Sequence, residues 1–200
     1  NITIISNQFI GQIAKHVGSG LAGEQIHYVL EETPQGVAKA LNLARPHNEN
    51  CRLLVYFSDN ITTIELSDHV ERFTNHESNP GCLLLCRDEE RPQAFGVAKF
   101  DDTGKIIDIV EKPQTPPSNV AIGGIYLYDE QFWSLVDKCQ IEYGDKVSIT
   151  DVNRKYVEKE QAELINIGKE TWVDCGTPES LLTASILSLI HISEPTRQHH

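Results

Sequence analysis

Two side chains of opposite charge stand together at Glu111 and Lys112, where Pro113 ends an apolar run. The stretch before them predicts two antiparallel strands joined by a tight turn. A third apolar run follows and contains the pair Gly123-Gly124. A carboxylate, an ammonium group and a surface of glycines at one place suggest a site for a polyhydroxylated, anionic ligand. A solvated turn is the alternative interpretation of Glu-Lys-Pro.

Two aspartates follow apolar runs elsewhere in the chain and could bind a cation. Asp59 comes shortly after the run that ends at Phe57, and Asp174 follows Trp172-Val173. A carboxylate at the end of a buried strand is costly unless it holds a cation or accepts hydrogen bonds. Either aspartate, taken alone, could instead be a helix cap or a turn residue.

The elements expected to position these residues alternate between strand and helix. Short apolar runs, with helical patterns between most of them, predict strands at residues 2–6, 25–31, 52–57 and 82–86. This alternation predicts right-handed crossovers and an α/β fold with a mainly parallel sheet. Ligands of such sheets bind at the carboxyl ends of the strands, where Glu31 and Asp59 fall.

Capping residues predict where several helices begin. Thr33-Pro34 should begin one helix, with threonine as N-cap and proline in the first turn. The sequence Ile149-Thr150-Asp151 should begin a second, and Thr177 should cap the last.

These motifs, in this order, resemble the sugar-phosphate nucleotidyltransferase family over residues 1–186. The stretch from Phe95 to Asp129 is similar to the family's sugar-binding half, most of all in members that transfer thymidylyl groups to glucose 1-phosphate. Ser58-Asp59-Asn60-Ile61 resembles the family's G-D-N-I, and the residues from Trp172 to Thr177 match its W-x-D-x-G-T. The resemblance implies a Rossmann-like, three-layer fold with a mixed, mainly parallel sheet.

The resemblance also implies that Asp59 and Asp174 together hold Mg²⁺. Two carboxylates, phosphate oxygens and waters suit an octahedral hard cation. The implied reaction is an in-line attack by a sugar 1-phosphate on the α-phosphorus of a nucleoside triphosphate, which releases pyrophosphate. Ser58 departs from the family, which has glycine at this position of the loop.

The resemblance places Phe95, Gly96, Glu111 and Ile122 around the sugar. Glu111 would accept hydrogen bonds from sugar hydroxyls, and Gly96 would allow the backbone to approach closely. Lys112 would neutralise the sugar phosphate and so take part in catalysis.

Glu31 and Gly36 fall in the segment with which the family reads the nucleobase. The family's Y-x-x-Q-x-x-P-x-G resembles the residues from Tyr28 to Gly36, with Glu31 in place of the glutamine. An amide both donates and accepts, which suits thymine or uracil, whereas a carboxylate only accepts and fits guanine better. The resemblance favours dTTP and glucose 1-phosphate as substrates, with guanylyl- and uridylyltransferases as alternatives. Glu31 could also be a solvated strand end.

The family's first strand and its G-G-x-G-T-R-L phosphate loop have no counterpart in this sequence. The chain is therefore expected to be a core fragment (1–186) that is inactive alone, since that loop cradles the triphosphate. The absent strand would lie between residues 2–6 and 52–57, which predicts unpaired backbone and a destabilised, association-prone or rearranged monomer. The alternatives are a non-catalytic sugar-phosphate or nucleotide-binding relative and a metal-dependent glycosyltransferase.

The last residues, 187–200, are expected to be a non-native tail. The string LSLIHISEPTR at 187–197 resembles the in-frame translation of a sequencing adaptor, and a genuine C-terminal helix is the alternative.

Composition limits the partners. A net charge of -12 argues against nucleic acid or an anionic membrane as the main partner. The expected partners are a sugar 1-phosphate, a nucleoside triphosphate and, in the intact protein, further copies of the chain. Five cysteines without a CxxC pair make a zinc site or a disulfide framework unexpected and fit a reducing cytoplasm.

Overall fold

The computed structural model describes residues 1–20, 24–75, 80–168 and 170–193, with backbone alone for 187–193. The helices are α1 (Ile10–Val17), α2 (Val37–Asn48), α3 (Leu66–Asn75), α4 (Phe132–Tyr143), α5 (Ile149–Glu158) and α6 (Pro178–Ser193). The strands are β1 (Ile2–Ser6), β2 (Ile26–Leu30), β3 (Leu53–Tyr56), β4 (Asn60–Thr62), β5 (Cys82–Asp88), β6 (Gly96–Phe100), β7 (Ile106–Glu111), β8 (Val120–Tyr128), β9 (Ala162–Asn166) and β10 (Trp172–Asp174).

The long strand β8 is the centre of a six-stranded sheet, in which five strands have the order β7-β6-β8-β5-β9 and the sixth, β3, also pairs with β8. One edge of β8 pairs antiparallel with β5 along most of its length. Its other edge is shared, because β6 pairs with residues 121–122 and β3 with residues 125–128. Strands β3 and β6 therefore lie one after the other along β8. The parallel pair β5–β9 makes the sheet mixed.

Side chains alternate along β5 between two cores, as the period of a strand requires. Cys82, Leu84 and Cys86 face a large core that includes residues of α4 and α5. Leu83 and Leu85 face a second core that contains Phe73 of α3 and Trp172 of β10. Helices thus cover both faces, which confirms the predicted α/β class and the three-layer arrangement.

Strands β1 and β2 form a separate parallel pair joined through α1. The strand–helix–strand alternation predicted this unit, and it has formed. In the part of the chain that the structure describes, β3 has a hydrogen-bonded strand on one edge only, and no backbone hydrogen bond joins it to β1. The resemblance placed its absent strand between these two. That the chain is a fragment stays a prediction.

The helix expected at Thr33-Pro34 begins instead at Val37, so this prediction was wrong. Gly36, at φ 95°, is the N-cap, and its carbonyl accepts the backbone N–H of Ala40 at 3.0 Å. A positive φ at glycine costs little, so the turn into the helix forms there. The preceding residues remain a loop, in which the Gln35 N–H donates to the Glu31 Oε1 at 3.4 Å.

The other two predicted helix starts are confirmed. Ser148 and Asp151 form a reciprocal capping box at the start of α5. The Thr177 Oγ1 accepts the backbone N–H of Ser180 at 3.1 Å, as an N-cap does.

Helix α6 continues to Ser193 and so includes the first half of the segment expected to be a non-native tail. The remainder, 194–200, lies outside the described residues. Among the helices described, none combines the length and the apolar character needed to cross a bilayer.

Candidate functional site

The two aspartates predicted to hold a cation lie on neighbouring chain segments. Strands β4 and β10, more than a hundred residues apart in sequence, pair antiparallel with Asp174 opposite Asn60. The ladder extends one step further, because the Cys175 N–H donates to the Asp59 carbonyl at 2.7 Å. Asp59 is exposed and Asp174 is half-buried. Asp59 thus avoids the desolvation cost expected of a buried strand end.

Each of these carboxylates has one oxygen engaged. The Asp59 Oδ1 accepts from the Asn60 Nδ2 at 2.7 Å, and the Asp174 Oδ1 accepts from the Gly176 N–H at 2.9 Å. Among the described residues, neither aspartate forms an ion pair with lysine, arginine or histidine. Two acidic residues on paired chain segments, without a cationic partner among the described residues, leave negative charge that a metal ion could balance.

The donor set suits magnesium better than zinc or a closed calcium site. No cluster of three or more His, Cys, Asp or Glu able to hold a metal occurs within the described ranges. The described residues would thus supply at most two carboxylates there. Magnesium keeps several waters and is commonly bound by one or two carboxylates plus phosphate oxygens. The residues present therefore fit Mg²⁺ shared with a phosphorylated substrate.

The predicted sugar-binding residues meet on three adjacent strands. Gly96, the first residue of β6, is the register partner of both Glu111 on β7 and Ile122 on β8. The Phe95 carbonyl, next to Gly96, accepts the backbone N–H of Lys112 at 3.0 Å. The structure therefore brings all five together, although Ile122 is buried and presents little surface.

The Glu111 carboxylate is held in place from α5. Thr150 donates its hydroxyl to the Glu111 Oε2 at 2.5 Å. The other oxygen, Oε1, lies 3.8 Å from the Lys112 Nζ. Lys112 has φ 42°, an uncommon backbone conformation for a residue with a side chain. Sequence reasoning gave Thr150 no role at the site, because the first turn of a capped helix is a common place for threonine.

The surface of glycines expected to face a ligand is instead buried, so that prediction was wrong. Gly123 and Gly124 both lie in the buried part of β8. A Cβ at Gly123 would come within 2.9 Å of the Trp172 ring. A Cβ at Gly124 would come within 2.6 Å of Phe57 and 2.8 Å of the Asn60 Oδ1. These glycines make room for side chains of the protein.

Trp172 connects the two halves of the candidate site. Its ring is 5.9 Å from the ring of Phe95, on the sugar side. Its Nε1 donates to the Asn60 Oδ1 at 2.6 Å, on the aspartate side. The Arg87 guanidinium lies 4.6 Å from the ring centroid, which holds the indole from a third direction.

Burial and charge also affect a tyrosine beneath the sugar side. Burial raises the pKa of Tyr126, and the negative charge of Glu111 raises it further. Tyr126 is therefore a neutral phenol at physiological pH and contributes packing, including an edge contact with Phe57.

Glu31 and Gly36 lie apart from these residues in the hydrogen-bond network. The Glu31 N–H donates to the Ser6 carbonyl at 2.8 Å, which places Glu31 directly after the β1–β2 pair. A Cβ at Gly36 would meet no atom within 4 Å, so the loop is open at this point. Within the described ranges, no hydrogen bond or ion pair links either residue to Asp59, Asp174 or Glu111.

Comparison with known proteins gives a consistent result. Residues 1–189 match the sequence pattern of the nucleotidyl transferase family. Over 167 residues the chain is 30% identical to the low-salt glycan biosynthesis nucleotidyltransferase Agl11 of Haloferax volcanii, covering 84% of this chain and 46% of that protein. Over 165 residues it is 32% identical to a glucose-1-phosphate thymidylyltransferase of Xanthomonas campestris pv. campestris, covering 82% and 55%. The chain thus spans about half the length of these curated relatives.

Solved structures show the same fold. A Bacillus anthracis chain described as a glucose-1-phosphate thymidylyltransferase, solved with sucrose, superposes with a TM-score of 0.85 at 33% identity. The match covers 94% of this chain and 76% of that one. A UDP-glucose pyrophosphorylase solved with UDP-glucose superposes with a TM-score of 0.77 at 16% identity and covers 94% and 80%, a likeness of fold alone.

Proposed function

Because this chain belongs to the nucleotidyl transferase family, we propose that its protein transfers a nucleotidyl group from a nucleoside triphosphate to a sugar 1-phosphate. The products are a nucleotide sugar and pyrophosphate. We favour dTTP and glucose 1-phosphate as substrates, since relatives at about 30% identity include glucose-1-phosphate thymidylyltransferases.

The observation that carries this proposal is the pairing of β4 with β10. This pairing supports the proposal because Asp59 and Asp174, from opposite halves of the sequence, lie on adjoining chain segments without a cationic partner among the described residues. An aspartate that served only as a turn or cap residue would need no such neighbour. Bound between these carboxylates and phosphate oxygens, magnesium would neutralise charge as pyrophosphate leaves.

The roles of the sugar-side residues follow from their chemistry. The Glu111 Oε1 would accept a sugar hydroxyl, while the Thr150 hydroxyl keeps Oε2 in position. Lys112, whose side chain is exposed, would place its ammonium against the sugar phosphate. Gly96 would let the sugar approach the backbone between Glu111 and Phe95.

The nucleobase would be read near Glu31 and Gly36. The open backbone at Gly36 leaves room for a flat base, and the exposed part of Glu31 supplies an acceptor. Because a carboxylate only accepts, guanylyl transfer is the alternative within the same family, and uridylyl transfer is the second.

The test measures pyrophosphate release from dTTP, UTP and GTP with glucose 1-phosphate. Two proteins are compared: this chain alone, and the same chain preceded by a strand and a G-G-x-G-T-R-L loop of the family. We expect release from the extended protein, fastest with dTTP, and none above background from the chain alone. Absence of release from a folded extended protein with every triphosphate would contradict the proposal and favour a non-catalytic binder.

The matched variants are Asp59→Asn, Asp174→Asn and, as a control, Asp102→Asn. Each of the first two should lower the rate by about a hundredfold or more, because a lost metal ligand removes charge stabilisation. Asp102 is an exposed aspartate of the β6–β7 turn, so its change to asparagine should leave the rate unchanged.

A further inference from the structure

We infer that Asn60 is the positioning residue for the Asp59 carboxylate, which it orients for a divalent cation. Asn60 follows Asp59 in sequence but differs from it in environment. Its side chain is buried, at 4% exposed, whereas Asp59 is open to solvent. A buried amide beside an exposed carboxylate can fix the position of an acid that would otherwise rotate freely. The inference rests on the proposed function, in which Asp59 is a magnesium ligand.

The orientation of the Asn60 amide is determined by two groups that can only donate. The Gly124 N–H donates to the Asn60 Oδ1 at 3.1 Å, and the Trp172 Nε1–H donates to the same atom at 2.6 Å. Backbone N–H and indole N–H groups have no acceptor capacity, so the amide atom that faces them must be the oxygen. The amide nitrogen is consequently turned toward Asp59, and its N–H reaches the Asp59 Oδ1 at 2.7 Å.

The two groups that fix the amide are themselves fixed. Gly124 lies in the buried part of β8, and a Cβ there would approach the Asn60 Oδ1 to 2.8 Å, so the amide is seated directly against that backbone. The Trp172 ring is held by Arg87 and Phe95. Asn60 therefore connects the buried strand β8 to the Asp59 carboxylate at the surface.

Asn60 also links the second aspartate to the first. It is the register partner of Asp174 in the β4–β10 ladder, and its amide bonds Trp172, two residues before Asp174. One side chain thus contacts Asp59 directly and fixes the strand that carries Asp174. Partners that orient metal-binding carboxylates in this way typically change metal affinity by about 10- to 100-fold when they are removed.

The experiment measures the affinity of the whole chain for Mn²⁺ alone, from the electron paramagnetic resonance signal of the free ion. Asn60→Ala should raise the Mn²⁺ dissociation constant by about 10- to 100-fold relative to the unchanged chain. The matched control is Asn153→Ala. Asn153 is an equally buried asparagine that accepts from the Tyr128 hydroxyl at 2.6 Å in the core. This control should change the dissociation constant less than twofold.

A second measurement on the unchanged chain decides the case if Asn60→Ala fails to fold. In a Mg²⁺ titration followed by NMR, the side-chain amide signals of Asn60, assigned through their proximity to the Trp172 indole proton, should shift. Those of Asn153 should not.

Two results would overturn the inference alone: a folded Asn60→Ala that binds Mn²⁺ within twofold of the unchanged chain, or Asn60 amide signals that move no more than those of Asn153 while Mg²⁺ binds. If the unchanged chain bound neither ion, the metal role of Asp59 and Asp174 would fall, and the inference with it.

Discussion

At the scale of single residues, polar side chains of the site are held in position by contacts with other parts of the protein. Glu111 has one oxygen on the Thr150 hydroxyl and the other near Lys112. This arrangement fixes the orientation of the carboxylate and leaves one oxygen able to accept from a ligand. Binding of a sugar should therefore depend strongly on the charge at this position.

Changing Glu111 to glutamine should weaken the binding of glucose 1-phosphate. A hydrogen bond to a charged group contributes about 1.5–3 kcal/mol, which corresponds to a loss of roughly tenfold to a hundredfold in affinity. Isothermal titration calorimetry checks this, with Asp102→Asn as the control for the loss of one negative charge. Equal affinity in Glu111→Gln and the unchanged chain would contradict the proposed role.

Sequence reasoning identified charged and glycine members of the candidate site but not the residues that hold them in place. Gly96 and Glu111 stood out because their types carry chemistry and their strands could be predicted. Thr150 and Asn60 were given no role, although Asn60 lies in the motif from Ser58 to Ile61, since a threonine in a helix start and an asparagine after an aspartate have common local roles. Their contacts cross 39 residues, from Thr150 to Glu111, and 112 residues, from Trp172 to Asn60.

At the scale of elements, β8 fits against its neighbours because Gly123 and Gly124 have no side chain. A methyl group at Gly124 has no space between Phe57 and Asn60. The exposed Gly11 of α1 is different, because a Cβ there would meet nothing within 4 Å. Substitution by alanine should therefore have opposite effects on stability at Gly124 and at Gly11.

Gly124→Ala should lower the free energy of unfolding by about 1–3 kcal/mol, because overpacking forces neighbouring side chains out of place. Gly11→Ala should raise it by about 0.5–1 kcal/mol, since alanine favours the helix and restricts the unfolded chain. Urea denaturation followed by circular dichroism measures both. Similar effects at the two glycines would show that the packing at Gly124 is looser than described.

The open edge of β3 should make the chain prone to associate. Leu54 and Tyr56, on this strand, are 48% and 42% exposed, and in the described part of the chain its outer backbone edge has no strand partner. Unpaired apolar edges promote strand-to-strand contacts between molecules. Light scattering should show mass that rises with protein concentration, and Leu54→Lys should reduce this rise.

The control for that experiment is Ile141→Lys, which places the same charge on α4 at a side chain that is 87% exposed. It should not change the association. A chain that stays monomeric and unfolds sharply at all concentrations would contradict the prediction.

Elements with strong apolar patterns were predicted well, and their ends less well. The strands β1, β2 and β5 lie within one or two residues of their expected positions. Thr33-Pro34 misled because its cap chemistry is suitable, yet the flexible backbone of Gly36 provides another start. Sequence patterns do not show which of two neighbouring helix starts is the more stable.

At the scale of the whole molecule, the large core contains several groups that ionise only at high pH. Burial raises the pKa of Cys86 to about 12 and that of Cys139 to about 11. Burial also raises the pKa of Cys82, Tyr128 and Tyr156. All five remain neutral in the folded protein at pH values where they would ionise in an unfolded chain.

Stability should therefore decrease on the alkaline side. Unfolded thiols and phenols lose protons near pH 8.5 and pH 10, while the folded groups keep theirs. The contribution is thus fully present below about pH 8.5 and is lost as the pH rises toward the folded pKa values of the thiols. Urea midpoints measured from pH 7.5 to 10.5 should decrease steadily above about pH 9. A constant midpoint over that range would contradict the burial of these groups.

The overall class was predictable because alternating apolar runs have few ways to pack. The strand pairings were harder, because each depends on contacts between distant segments. No local pattern indicates that β3 and β6 share one edge of β8, or that β4 finds β10.

The position of Trp172 gives the chain an optical reporter. The sequence contains two tryptophans, Trp133 and Trp172. Trp133 is buried against α2, where its Nε1 donates to the Asn48 carbonyl, while Trp172 touches both halves of the candidate site. With Trp133 replaced by phenylalanine, the fluorescence of the remaining indole would report on the surroundings of Trp172, which include Asn60 and Phe95. A ligand bound on either side of Trp172 would then shift the emission of this one indole, so that binding could be followed without an added label.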